Sequence, residues 1–142
     1  MLNTAAYHPI NVLIVDDKRM LREVLSDMLT FLQPNWQVLE AENGKRGLEL
    51  AQARRPLYIF TDFSMPILNG YEMALALQRD PYTRTIPLIL TSGSAPTHPQ
   101  LILLYAFCQA ILSKPYDVSQ LKKLLEQLPM WQTQSTDYAY RV

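Results

Sequence analysis

The chain has 142 residues, 49% of them hydrophobic and 18% charged, which suits one packed domain and excludes a disordered chain. Its 13 basic and 13 acidic residues cancel, so no electrostatic pull toward nucleic acid or a membrane surface follows. One cysteine, Cys108, excludes an internal disulfide, and two distant histidines, His8 and His98, give no zinc-type spacing. Residues 11–15, NVLIV, form a short β-branched run that stops at Asp16-Asp17 and reads as a strand buried on both faces. Met20, Leu21, Val24, Leu25, Met28, Leu29 and Leu32 then recur at helical spacing, and Pro34 ends that helix by Gln33. Residues 36–40 give a second strand. Asn43-Gly44 opens a helix with Leu48, Leu50 and Ala51 among its apolar positions, ending before Pro56. Residues 57–61 give a third strand. A helix from about Gly70 carries Tyr71, Met73, Ala74, Leu75 and Leu77 and stops at Pro81. Residues 86–90 give a fourth strand, with Pro87 near its start, where a missing N–H is tolerated. A helix over 99–107, a fifth strand over 110–112 and a last helix over 118–128 complete the series.

Strand and helix thus alternate five times, without a repeat motif or low-complexity segment. That pattern predicts an α/β, flavodoxin-like doubly wound parallel sheet of five strands, order 2-1-3-4-5, with five helices on its two faces. The expected organisation is an N-terminal extension over 1–9, one domain over 10–128 and a C-terminal tail over 129–142. Trp131, Tyr138 and Tyr140 would dock that tail on the domain or on a partner. The start, MLNTAAYHPI, lacks the basic and apolar regions of a signal peptide, and no apolar stretch is long enough to span a bilayer. A soluble, cytoplasmic protein is expected.

In such sheets ligands bind beyond the carboxyl ends of the strands, where the strand order reverses. Strands one and three flank that point and end at Asp16-Asp17 and at Asp62. Three carboxylates crowded together raise one another's pKa unless a cation neutralises them. Oxygen donors without histidine or thiolate suit Mg²⁺, which shares sites with phosphate. Strand four leads to Thr91-Ser92 and strand five to Ser113-Lys114-Pro115, so a hydroxyl and an ammonium face the same crevice. Singly, each residue is more often a turn former, a cap or an ordinary loop residue. On successive strand ends of one sheet they add up to a phosphoryl site: a nucleophilic carboxylate, a metal, and a hydroxyl and cation to hold the transferred oxygens.

VLIVDD at 12–17, TDFSMPILNG at 61–70, LTSGSA at 90–95 and LSKPY at 112–116 resemble, in order and spacing, the receiver domain of two-component response regulators, of the stand-alone, chemotaxis-regulator-like kind. The resemblance implies that Asp62 accepts a phosphoryl group from a sensor histidine kinase or a phosphotransfer protein. It implies Mg²⁺ bound by Asp17, Asp62 and the backbone carbonyl of Ser64, with Asp16 acting through a metal-bound water. Thr91 would bond one phosphoryl oxygen and move with it, and Lys114 would pair with another. Pro66, Gly70 and Pro115 would structure the loops, Pro115 through a fixed, often cis, peptide bond. The family role is signalling rather than enzymatic, with Mg²⁺-dependent self-phosphorylation and slow self-dephosphorylation at most.

The chain departs from the family pattern. Ile111 stands three residues before Lys114, where the family usually has an aromatic, so an aromatic switch of the usual kind is not expected. Phe107-Cys108 stands where a Gly-Ala pair is frequent. Pro96 and Pro99 shorten or shift the fourth helix, and LILLYAF is more apolar than a half-exposed helix needs. Either that helix is packed deeply, or it offers an apolar strip to a downstream protein or a second copy. The contact face would be the fourth helix, fifth strand and fifth helix, including Leu101, Leu104, Tyr105 and Ile111. The phosphodonor would dock on the first helix, near Arg19, Met20, Arg22 and Glu23, and on the loops around Asp62. No DNA-binding or catalytic output segment is expected in the fourteen-residue tail, so output runs through protein contact or a phosphorelay. The alternative is a receiver-like adaptor that acts without phosphorylation. A haloacid-dehalogenase-type enzyme would need a second Asp where Ser64 stands, and an FMN binder would need a Ser/Thr/Gly-rich loop where DDKRM stands.

Overall fold

The computed structural model describes residues 9–93 and 96–128. Strands β1 (Ile10–Val15), β2 (Trp36–Ala41), β3 (Tyr58–Thr61), β4 (Leu88–Ser92) and β5 (Cys108–Ser113) alternate with helices α1 (Arg19–Leu32), α2 (Gly44–Arg54), α3 (Gly70–Arg79), α4 (Pro99–Tyr105) and α5 (Val118–Glu126). The strands form one sheet in the order β2-β1-β3-β4-β5, every pair parallel. This is the expected doubly wound fold.

Alternation along each strand divides the core in two. Val12, Ile14, Tyr58, Phe60, Ile89 and Leu112 face α1 and α5, meeting Leu25, Leu29, Leu121 and Leu125. Leu13, Val15, Ile59, Leu88 and Leu90 face α2, α3 and α4, meeting Ala51, Met73, Leu77, Leu101 and Leu104. The central strands are apolar on both faces because helices cover both. All the helices but α1 begin on side-chain caps. Asn43 accepts from the Arg46 N–H, and Asn69–Glu72 and Asp117–Gln120 form reciprocal capping boxes. Each cap stabilises its helix by about 1 kcal/mol.

Several boundaries differ from the sequence reading by one or two residues, α5 among them, which ends at Glu126 rather than at 128. β4 starts two residues later than expected. Pro87 therefore precedes the strand, where its carbonyl still accepts from Ile59 N–H at 3.0 Å. β5 is longer than the expected 110–112 because it contains a bulge. Leu88 pairs with Cys108 but Ile89 pairs with Ala110, leaving Gln109 as an extra residue. α4 ends at Tyr105, and Phe107 N–H already bonds back to Leu104 O at 2.9 Å. The expected tail over 129–142, with Trp131, Tyr138 and Tyr140, lies outside the described residues, as does nearly all of the expected extension over 1–9.

Candidate functional site

Parallel pairing puts the carboxyl ends of all strands on one edge, and the ladder continues one residue past three of them. Asp16 N–H donates to Ala41 O at 3.0 Å, Asp62 N–H to Val15 O at 3.0 Å, and Lys114 N–H to Ser92 O at 2.7 Å. Each of these side chains therefore leaves a backbone position fixed by a neighbouring strand. One carboxylate oxygen from each of Asp16, Asp17 and Asp62 lies within 4.8 Å of the others. Lys114 Nζ stands 3.7 Å from Asp16 Oδ2 and 3.6 Å from Asp62 Oδ2. Asp16 is buried, Asp62 half-buried and Asp17 exposed.

Burial is the main reason the Asp16 carboxyl is pushed above its usual range. The Lys18 N–H donated to Asp16 Oδ1 at 2.9 Å pulls the other way, the Asp62 charge adds to the rise, and Lys114 opposes it. Burial, then the Asp16 charge, pushes the neighbouring Tyr116 phenol up to about 12. One ammonium against three carboxylates leaves excess negative charge. A cluster of oxygen donors alone fits a hard divalent cation such as Mg²⁺.

The loop after Asp62 is held along its length. Phe63 N–H donates to Asp62 Oδ1 at 2.8 Å, and Gly70 N–H donates back to Phe63 O at 2.8 Å. Gly70 follows from space, not from backbone freedom. A Cβ there would sit 2.5 Å from Asp62 O, and no described glycine has positive φ. The left-handed residue of this loop is Ile67, at φ 72, an unusual conformation for a β-branched side chain. Asn69 caps α3, so Asn69-Gly70 starts the helix rather than forming a free turn. Pro66 and Ser64 are exposed on the loop.

Thr91 is buried, and its hydroxyl donates to Thr61 O at 3.3 Å, turned toward the neighbouring strand. The Lys114–Pro115 peptide is cis. Pro115 and Lys114 border a recess of about 420 Å³ completed by Leu21, Val24, Gly93 and Tyr116. Beside it the start of α1 exposes Met20, at 76%, and Val24, while exposed Phe31 lies near the far end of that helix. Arg22, named from sequence for a docking face, is turned inward. Its guanidinium donates to Asp16 O at 2.7 Å and pairs with Glu40 at 3.2 Å. Arg19 pairs with Glu23 at the helix start.

The expected outward strip on α4 needs correction. Leu101 and Leu104 are buried in the core at 7% and 0% exposure, and Tyr105 packs partly against it. The exposed apolar residues are Ile102 and Leu103, joined by Ile111 on β5 at 39%. Spacing i, i+3, i+4 puts 101, 104 and 105 on one helix face, and the sheet covers that face. Sequence reading also missed Phe63, His98 and Gln100. The Phe63 and His98 ring centroids lie 5.1 Å apart, and Asn69 Nδ2 donates to Gln100 Oε1 at 2.7 Å.

Comparison with known proteins adds sequence and fold. Residues 12–126 match the family model described as response regulator receiver domain. Protein PilH of Pseudomonas aeruginosa is 32% identical over 114 residues, covering 80% of this chain and 93% of PilH. Histidine kinase P4 of Formosa agariphila is 32% identical over 119 residues, 81% of this chain but 8% of that protein. The chain likewise spans 55% of response regulator Rre1 of Synechocystis. Among solved structures, chemotaxis protein CheY4 of Vibrio cholerae superposes with a TM-score of 0.73 at 26% identity, covering 84% of this chain and 98% of CheY4. The receiver domain of sensor histidine kinase PA1611 from Pseudomonas aeruginosa, solved with a magnesium ion coordinated in its cleft, gives 0.73 at 23%, covering 82% and 93%. Among the described residues no helix is long and apolar enough to cross a membrane.

Proposed function

Because the chain belongs to the response regulator receiver domain family, we propose that Asp62 accepts a phosphoryl group from a phosphohistidine of a sensor histidine kinase or phosphotransfer protein. The observation that carries this reading is the placement of Lys114 between Asp16 and Asp62, within 3.7 Å and 3.6 Å, beside a third carboxylate on Asp17. An Asp62 oxygen attacks phosphorus, the phosphorus–nitrogen bond of the donor breaks, and the released imidazole nitrogen keeps the electron pair and takes a proton. Asp17, Asp62 and the Ser64 carbonyl would hold Mg²⁺, with the Asp16 carboxylate beside them. When bound, the ion offsets the negative charge of phosphoryl group and carboxylates. Lys114 pairs with one phosphoryl oxygen. Thr91 leaves Thr61 O and donates its hydroxyl to another.

The donor docks over the start of α1, where exposed Met20 and Val24 adjoin the recess beside Lys114 and Pro115. Aliphatic and aromatic side chains next to the acceptor suit an apolar helix face presenting a phosphohistidine. Output leaves by protein contact on the side of α4, β5 and α5, where Ile102, Leu103 and Ile111 are exposed. A downstream protein or a second copy meets that side.

Incubation with acetyl phosphate and Mg²⁺, read on a phosphate-affinity gel, tests this. The wild-type band shifts and the Asp62→Asn band does not. An unshifted wild type, with a partner still bound, would establish the phosphorylation-independent adaptor instead.

A further inference from the structure

Three contacts join the loop after Asp62 to α4, a helix that takes no part in the carboxylate cluster. The rings of Phe63 and His98 stand 5.1 Å apart at 49°. Asn69 Nδ2 donates to Gln100 Oε1 at 2.7 Å across 31 residues of sequence. Gly70 lies so close to Leu104 that a Cβ would come within 3.1 Å of its Cδ2. The two α4 residues are themselves tied, since His98 Nδ1 accepts the Gln100 N–H at 3.1 Å and starts the helix.

On the loop side the contacts reach the reactive group directly. Phe63 N–H is donated to Asp62 Oδ1, and Phe63 O receives Gly70 N–H. A change of charge or bonding at the Asp62 carboxylate therefore acts first on the Phe63 backbone. The Phe63 ring meets the first turn of α4. Four and five residues beyond His98, that seven-residue helix exposes Ile102 and Leu103. Packed contacts of this kind transmit because they have discrete arrangements rather than a continuous range.

We propose that Phe63, Asn69, His98 and Gln100 are positioning residues that couple the Asp62 loop to α4, so that phosphorylation at Asp62 resets the placement of Ile102 and Leu103. The proposal rests on Asp62 as phosphoacceptor. Coupling is reciprocal in binding free energy, so loosening the α4 contacts also changes affinity at Asp62.

The test uses beryllofluoride with Mg²⁺ as the phosphoryl mimic, ¹⁹F NMR for occupancy and amide NMR for α4. His98→Ser keeps a capping oxygen but removes the ring, Gln100→Leu removes the acceptor, and Gln100→Glu keeps it. In the wild type, beryllofluoride shifts the amides of residues 102–104. In His98→Ser and Gln100→Leu those shifts fall at least twofold at equal occupancy, and mimic affinity changes severalfold. Gln100→Glu restores both. Full shifts in both removing variants overturn the coupling, as does an equal loss in Gln100→Glu. A wild type that never binds the mimic overturns the phosphoacceptor reading and the coupling with it, which separates the two failures.

Discussion

Asp16 is the residue on which the electrostatics of the site turn. Its folded pKa is raised, chiefly by burial, so the neutral form is the one folding favours. The sign of the linkage follows. The contribution to stability is complete below the unfolded pKa and is lost as pH rises through the higher folded value. At neutral pH, without a metal, Asp16 is thus a cost to the fold. Asp16→Asn keeps an oxygen for the Lys18 N–H and removes the charge. Its Tm should exceed the wild type's at pH 7 in chelator, and the difference should shrink toward pH 4. Mg²⁺ should raise the wild-type Tm at pH 7 by more than it raises the variant's. An Asn variant melting below wild type in chelator would contradict this. If Asp62 is the phosphoacceptor, two further residues bear on the lifetime of its phosphorylated state. Ser64 and Gly93, two positions after Asp62 and Thr91, carry no carboxylate or amide to orient an attacking water. The aspartyl phosphate should therefore persist for minutes or longer once the donor is removed, and a measured half-life of seconds would refute it.

At the scale of elements, α4 has one face buried in the core and one open to solvent. Leu104 is fully buried against the α3 side of the sheet, while Ile102 is 54% exposed on the other side of the same turn. Leu104→Ala removes buried methyl groups and leaves a cavity, at about 2–5 kcal/mol. Ile102→Ala should stay within about 0.5 kcal/mol of wild type in chemical denaturation. If Ile102 and Leu103 form the contact surface, Ile102→Ala weakens partner binding at unchanged stability. Sequence periodicity found this helix but assigned its faces wrongly. LILLY is apolar all along, and over seven residues nothing in the pattern distinguishes the covered side from the open one. The same lack of contrast hid the two-residue shift of β4, where Ile86-Pro87 reads as strand as readily as Leu88-Ile89.

For the whole molecule, alternation of strand and helix was enough to give sheet order, and sheet order was enough to bring Asp16, Asp17, Asp62 and Lys114 together. Those residues were legible because each ends an apolar strand, and parallel strands end on one edge. Phe63–His98 and Asn69–Gln100 were not legible. They join residues more than thirty positions apart through side chains with ordinary local explanations, a loop aromatic and three helix-start residues. Chain order shows where backbones go. It does not show which side chains meet between two helices on the same face.

The bulge at Gln109 has a consequence for how far α4 can travel. Only Ala106 and Phe107 separate α4 from β5, too short a tether for α4 to slide while every β4–β5 pair stays in register. Gln109 is a residue of chain that the ladder does not use, about 3.3 Å of contour held in reserve. Drawing it straight would let out slack toward α4 while Lys114, five residues on, stays bonded to Ser92. Deleting Gln109 would leave the carboxylate cluster in place and shorten the leash on α4.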